Sequence, residues 1–335
     1  MGKSAAKQLI TVLGASGLLG TAVTRVLAER PVRLRLVGRR PTAVPPGARA
    51  EIDAREVDLT GPGAVAEAIA GSDVVIHLVA QISGASTWRV AATDPVAERV
   101  NVGLVHDIVE AIRRQRPEKP PLVLLAGSMS QVGRSTSARI DGSEVDQPLT
   151  TYDKQKMAAE RAILAAGEEG VLRGAALRLA TLYTQGLDST DLDRGVVSAM
   201  MRRAFTGEPL TMWHDGTVNR DLLCVDDAAR AFVAALDAAE AVAGRSWLIG
   251  TGVATSIAEL FTTISKVVAT TTGEPPVPVV SVPPAEHSVP TDLLDFVLDP
   301  SAFQRATGWA PRVALLDGLD RLATAFARGS ARGAN

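Results

Sequence analysis

Residues 14–20 read GASGLLG, three glycines at three-residue spacing, between a compact apolar run (LITVL, 9–13) and a segment of helical period. No other feature constrains the fold as much. Glycine allows a sharp turn and lets main-chain amides approach whatever lies over it, and the helix that follows aims the positive end of its dipole at the same place. In a strand–turn–helix setting this is the phosphate-cradling element of a dinucleotide-binding unit. Gly14, Ser16, Gly17, Leu18, Leu19 and Gly20 are the expected residues on the pyrophosphate side.

The alternation continues. Short Val/Leu-rich runs at 9–13, 32–37, 74–79 and 122–126 have the composition of strands covered on both faces. Helical segments at 18–30, 63–70 and 94–116 separate them, and a helix at 152–166 leads to a sixth strand at 172–182. This order predicts an α/β fold with a doubly wound parallel sheet of Rossmann type. After about 183 the rhythm changes. Helical stretches at 196–205, 226–239 and 257–270 alternate with strand-like pieces at 210–213 and 247–250, and GEPPVPVVSVPP at 273–284 is expected to be a proline-rich loop. The expected division is a dinucleotide-binding domain with the catalytic residues at 1–183. A smaller lobe, mainly substrate-binding, follows at 184–335, with some segments returning to the sheet.

Composition narrows the partners. The 335 residues are 46% hydrophobic, and 35 basic residues nearly balance 37 acidic ones. No global field attracts nucleic acid, and 4% aromatics give few stacking surfaces. Cys224 is the single cysteine, which excludes an intrachain disulfide and a thiolate zinc site. It stands in an apolar run and reads as a core residue. His77, His106, His214 and His287 show no metal-ligand spacing, so no metal is expected. With no apolar run long enough to span a bilayer and no signal-peptide pattern, a cytoplasmic protein without a membrane partner is expected.

Tyr152 and Lys156, in TYDKQK, fall at i and i+4 on one helix face. A free phenol ionises near about pH 10. An ammonium fixed beside it favours the phenolate and brings it towards working pH. Ser128, in LLAGSMS, falls at the carboxyl edge of the sheet, where ligands bind, with Ser130 as the second candidate to hold a substrate carbonyl. Asn101, in RVNVG, either supports the lysine through water or makes a helix hydrogen bond. Arg39 and Arg40 end the second strand, where an acidic residue would bond a ribose 2′-hydroxyl and repel a 2′-phosphate. Arginine does the opposite, which predicts NADP(H). Asp58, ending a third strand run in VDLT, either bonds the adenine amino group or neighbours a helix cap. Asp226 and Asp227 are expected to cap the helix after them.

These motifs resemble the extended short-chain dehydrogenase/reductase family over nearly the whole chain. The likeness rests on the GxxGxxG turn, DLT at 58–60, HLVAQ at 77–81, Asn101, Ser128, YxxxK and LRLATLY at 177–183. GEPLTMWHDGTVNRDLLCVDDAA at 207–229 is similar to the RDxxxVxD segment of nucleotide-sugar enzymes. The resemblance implies catalysis by Ser128, Tyr152 and Lys156. It implies cofactor contacts from Asp58, Leu59, Leu78, Val79, Ala80 and Asn101, as well as Tyr152 and Lys156. Substrate contacts are implied for Gln81, Ser128, Ser130, Trp213 and Arg220, the last beside a diphosphate. RPVRLRLVGRR, STWR, GVVSAMMRRAFTGEPLTMWHDG and TGWAPRVALLDGLDR resemble TDP-4-keto-6-deoxyhexose 4-ketoreductases of antibiotic deoxysugar pathways. That implies a TDP-linked 4-ketosugar substrate and a homodimer built on the helices at 94–116 and 152–166. Val132 stands where many relatives carry a tyrosine, so part of the substrate wall departs from the pattern.

Four activities compete. A net ketoreductase replaces its cofactor at every turnover, which suits an arginine-marked NADPH site. A 4-epimerase or 4,6-dehydratase recycles one bound NAD and calls for an acidic ribose residue; the dehydratase also needs an acid beside the catalytic hydroxyl, where Met129 and Ser130 stand. An epimerase-reductase adds a Cys/His pair, for which Cys224 is badly placed. A regulatory NADP sensor would not need the tyrosine and lysine retained here.

Overall fold

A computed structural model describes residues 7–82, 90–91, 94–135, 137, 139–184, 195–284 and 288–333, with side chains to 329. STWR at 86–89 and His287 lie outside the described residues.

The chain opens with β1 (Leu9–Leu13), α1 (Leu18–Ala28), β2 (Arg33–Gly38), β3 (Glu51–Glu56), α2 (Ala64–Ala68) and β4 (Val74–His77). A broken crossover follows, α3 (Pro95–Glu98), a π-helical turn (Arg99–Gly103) and α4 (Leu104–Gln115), and then β5 (Leu122–Ser128), α5 (Thr151–Glu168) and β6 (Arg173–Leu179). β1 and β4 are buried along their whole length. Valine, leucine and isoleucine side chains pointing to both sides suit a strand with helices on each face.

The expected sixth strand divides. After Leu179 the chain steps out of the sheet, and β7 (Thr181–Tyr183) pairs with another partner. α6 (Val196–Phe205), β8 (Leu210–Trp213), β9 (Asn219–Arg220), β10 (Leu222–Cys224) and α7 (Val225–Asp237) come next. They are followed by α8 (Ala239–Val242), β11 (Arg245–Ile249), β12 (Thr255–Ser256), α9 (Ile257–Thr272), β13 (Val279–Val282), α10 (Ser301–Thr307) and α11 (Leu315–Gly333). The proline-rich stretch at 273–284 holds a strand after all: β13 runs parallel to β8, with its prolines placed outside the paired residues.

Seven parallel strands form the sheet, in the order β11-β6-β5-β4-β1-β2-β3. The chain winds outwards from β1 to β3, then restarts at β4 on the other side of β1. The reversal leaves a crevice above the carboxyl ends of β1 and β4, the ligand-binding position in doubly wound sheets. One apolar layer packs α1 and α7 on one face, through Ala22, Val23, Leu27, Ala228 and Phe232. A second packs α2, α4 and α5 on the other, through Val65, Leu104, Ile108, Ala159 and Ile163. A third cluster joins α6, α9 and α11 in the smaller lobe, through Met201, Leu260, Ile264 and Leu322. Among the described residues no helix is long and apolar enough to cross a membrane.

Candidate active site

The glycine turn lies at the strand-order reversal. Gly14 adopts φ +88°, a left-handed conformation that L side chains rarely take, and a Cβ there would meet the Leu78 and Val79 main chain at 3.1 Å. Its N–H and that of Ala15 donate to Val37 O at 2.8 and 3.0 Å, tying the turn to the end of β2. Gly17 caps α1 with no side-chain hydrogen bond, so no side chain competes for the amides of the first turn. Gly20 packs against the turn so closely that a Cβ would lie 2.1 Å from Gly14 O. A backbone cradle that glycine alone can close, with free amides at a helix N-terminus, fits a dinucleotide pyrophosphate. Gly20→Ala is expected to lower stability by about 1–3 kcal/mol through overpacking, and to weaken nicotinamide-dinucleotide binding further; thermal melts with and without cofactor measure both.

Around the cradle, Ser16 Oγ faces Gly38, whose Cβ would fall 2.5 Å away. Leu19 is buried and Leu18 half-buried. Arg39 and Arg40 are exposed directly beyond β2; Arg40 donates to Ser16 O at 3.3 Å, and Arg39 has no hydrogen-bond partner among the described residues. Asp58 comes two residues after β3 ends. Its carboxylate accepts from Thr60 N and Oγ1 at 2.9 and 2.7 Å, which holds it below the usual carboxylate range, helped by the charges of Arg39 and Arg99. It closes a turn instead of ending a strand. Leu59 is core. Leu78, Val79 and Ala80 leave β4 over Gly14, because β4 stops at His77.

On the other side of the crevice, Ser128 is the last residue of β5. Tyr152 and Lys156 lie on α5, which starts with a reciprocal capping box between Thr150 and Asp153. Tyr152 is 2% exposed. Lys156 Nζ donates to Ala126 O at 2.9 Å, lies 5.7 Å from the Tyr152 ring centre, and is pushed down to about 8 by burial. The phenol behaves differently from expectation. Burial first, and the charge of Asp153 second, raise its pKa, and the hydrogen bond between its hydroxyl and Ser128 opposes them only in part. His77 is buried and driven down to about 3, chiefly by burial and also by Lys156, so it is neutral.

Asn101 is presented by the π-helical turn, a distortion common at functional positions. Its Oδ1 accepts from Gln81 N at 2.8 Å, and its Nδ2 donates to Gln81 O at 3.0 Å and to Gln155 Oε1 at 2.7 Å. Gln155 in turn donates to Glu98 at 2.9 Å. Asn101 thus clamps the Gln81 peptide, linking two positions the sequence assigned to different ligands. Val132 is buried in the core beneath the 3-10 turn Met129–Val132.

Trp213 is half-buried in β8. Arg220 lies on β9, with Phe296 5.5 Å from its guanidinium. That guanidinium donates to four backbone carbonyls: Asn219 (3.0 Å), Thr291 (3.1 Å), Asp292 (2.9 Å) and Leu294. The acids of the RDxxxVxD segment are organisers. Asp221 is buried and accepts from Thr251 N and Oγ1, Gly252 N and Leu298 N. Asp227 does not cap α7, whose N-cap is Cys224; it sits in the first turn and accepts from Arg312 N, Val313 N and Arg230. Cys224 is buried, and burial pushes its thiol up to about 12. His214 occupies a turn at φ +54°.

With a dinucleotide cradle facing a buried Tyr–Lys pair across one crevice, comparison with known proteins becomes specific. Residues 10–250 match the NAD dependent epimerase/dehydratase family. The chain belongs to that family. Within it, the UDP-glucose 4-epimerase of Mycolicibacterium smegmatis is 28% identical over 256 residues, 76% of each chain. The dTDP-6-deoxy-L-talose 4-dehydrogenase (NAD(P)(+)) of Kitasatospora kifunensis is 26% identical over 324 residues, 94% of this chain and 95% of that one. The structure of MoeE5 in complex with UDP-glucuronic acid and NAD is 25% identical, with a TM-score of 0.78 over 96% of this chain and 99% of that chain. As a member of the epimerase/dehydratase family, this chain is an enzyme with a site for a nicotinamide cofactor.

Two positions escaped the sequence reading. Asp153 and Gln155 lie inside YDKQK, but their importance comes from partners at Ser130 and Asn101, 23 and 54 residues away. Only their place beside Tyr152 and Lys156 was a signal.

Proposed function

We propose that this protein is an NADPH-dependent reductase of the C4 ketone of a TDP-linked 4-keto-6-deoxyhexose, a step of antibiotic deoxysugar formation. The relatives named above act on or bind sugar nucleotides, which supports that substrate class. The observation that carries the reductive reading is the exposed Arg39–Arg40 pair at the end of β2, beside the glycine cradle. A bidentate guanidinium suits a ribose 2′-phosphate, and NADPH is the cofactor that leaves oxidised and is exchanged at each turnover.

Gly14, Ser16, Gly17 and Gly20 would hold the pyrophosphate, and Arg39 with Arg40 the 2′-phosphate. When bound, the cofactor supplies the hydride that reduces the ketone carbon. Tyr152 gives its proton to the carbonyl oxygen and later regains one from solvent. Lys156 anchors through Ala126 O, which leaves two of its three N–H groups for ribose hydroxyls. Ser128, hydrogen-bonded to Tyr152, would lie beside the substrate carbonyl.

Arg39→Ala is expected to weaken NADPH about tenfold to a hundredfold, the worth of one charge-assisted phosphate contact, and to leave NADH nearly unchanged. Titration of the protein with each dinucleotide measures both, and equal losses sink the assignment. The second reading is a 4-epimerase with bound NAD, favoured by the activity of the mycobacterial relative. Offered TDP-4-keto-6-deoxyglucose, a reductase consumes NADPH one for one. An epimerase interconverts nucleotide hexoses with no net consumption.

A further inference from the structure

Ser128 belongs to a chain of polar groups whose proton direction is determined by its far end. The Asp153 carboxylate accepts from Ser130 Oγ at 2.5 Å, Thr150 Oγ1 at 2.6 Å and Thr150 N at 3.2 Å. Burial raises the Asp153 pKa, and the donors converging on it oppose that rise and suit the ionised form, which has no proton to offer, so Ser130 gives its hydrogen to Asp153. Ser130 Oγ is then an acceptor, and the 2.8 Å contact with Ser128 Oγ is donated by Ser128. Ser128 is left with two lone pairs. One accepts Ser130 N–H at 3.3 Å, and the other is what remains for its hydrogen-bond partner Tyr152, whose hydroxyl must then donate. Every hydrogen points the same way, from Tyr152 through Ser128 and Ser130 to Asp153.

We propose that Asp153, acting through Ser130 and Ser128, holds Tyr152 as a neutral, proton-loaded phenol, which biases the site towards reducing carbonyls over oxidising alcohols. The phenolate needed to oxidise an alcohol would want a hydrogen bond from Ser128, but the Ser128 proton is held by Ser130. Asp153 is a positioning residue here. The other ionisable groups around the chain are His77, Arg178 and Lys156, of which the Lys156 ammonium, 5.7 Å from the Tyr152 ring centre, favours the phenolate. His77 on β4 is neutral, and Arg178 on β6 is paired to both Asp146 and Glu160. Lys156, one turn along α5, is held to Ala126 O. The proposal rests on Tyr152 being the proton donor of the reaction.

The chain has two tyrosines, which makes the test direct. The Tyr183 hydroxyl has no hydrogen-bond partner among the described residues, so Tyr183→Phe leaves Tyr152 as the one titrating phenol at little structural cost. In that background the tyrosinate absorbance of the full-length chain is followed against pH. Tyr152 is expected to ionise well above the usual phenol value of about 10. Ser130→Ala frees Ser128 to donate to Tyr152 and leaves the Thr150–Asp153 cap intact; Asp153→Asn removes the charge. Each is expected to lower the Tyr152 midpoint by about one pKa unit, a tenfold loss of proton affinity. Thr150→Ala breaks the cap without cutting the chain and is expected to leave the midpoint in place. Unshifted midpoints in both chain variants overturn the proposal, as does an equal shift in Thr150→Ala. Turnover is assayed separately, as NADPH oxidation with TDP-4-keto-6-deoxyglucose. Activity retained by Tyr152→Phe would remove the reading of Tyr152 as proton donor, while the titration still reports on the hydrogen-bond chain itself.

Discussion

Tyr152→Phe is expected to lower kcat by roughly 10²–10⁴-fold, the usual worth of a positioned general acid, while NADPH affinity stays nearly unchanged. The ring is buried in the second position of α5, and phenylalanine fills the same space. Only the hydroxyl goes, and with it the proton that the substrate oxygen would receive. Ser128 loses one donor and keeps its bonds to Ser130, so no buried polar group is stranded. The melting temperature should therefore stay close to that of the parent. A variant that binds NADPH normally, melts normally and does not turn over assigns the loss to proton transfer. Unchanged turnover would exclude Tyr152 as the acid.

The second large effect concerns stability. Arg178, on β6, makes paired bonds to Asp146 (2.8 and 2.7 Å) and to Glu160 of α5 (3.0 and 2.5 Å), with all three side chains nearly buried. Arg178→Leu leaves two carboxylates in a dry site without a cation, at an expected cost of about 3–5 kcal/mol. That is a large fraction of the roughly 5–15 kcal/mol that holds a typical domain folded, so the variant should melt far below the parent or fail to accumulate. Replacing both acids as well (Asp146→Asn, Glu160→Gln) should restore most of the loss, because the penalty belongs to the stranded charge. Denaturant titration of the three proteins is the measurement. A single variant within about 1 kcal/mol of the parent contradicts the argument.

How much was legible in the sequence depended on the range of the interaction that decides each feature. Leu9–Leu13, Val196–Phe205 and Leu210–Trp213 have the bounds their local apolar period predicts. The glycine turn was equally local. LRLATLY gave no sign of breaking at Ala180, since both halves are apolar and only the change of strand partner divides them. β3 reads EIDARE and is largely exposed, because it is the sheet's outer strand on that side. Its charged side chains suit an edge that must not recruit another chain, so the sequence showed a third strand only by its end at VDLT, two residues beyond where β3 stops. At the site, Ser128, Tyr152 and Lys156 could be named from spacing. The hydrogen bonds of Asn101, Asp153 and Arg220 could not, because their partners lie 20 to 74 residues away and are met only in the folded chain.

The sheet's last strand has a consequence for how this protein must be made. β11 comes from residues 245–249 and covers the outer side of β6, while α7 packs against α1. A ribosome must therefore release about three-quarters of the chain before the nucleotide cradle acquires its final backing. Until then β6 waits with an open row of amides and carbonyls, and α1 with an uncovered apolar stripe. A shortened gene ending near residue 183 would freeze the chain in that state. The cradle expressed alone should collect in inclusion bodies unless residues 225–249 are supplied, even as a separate piece.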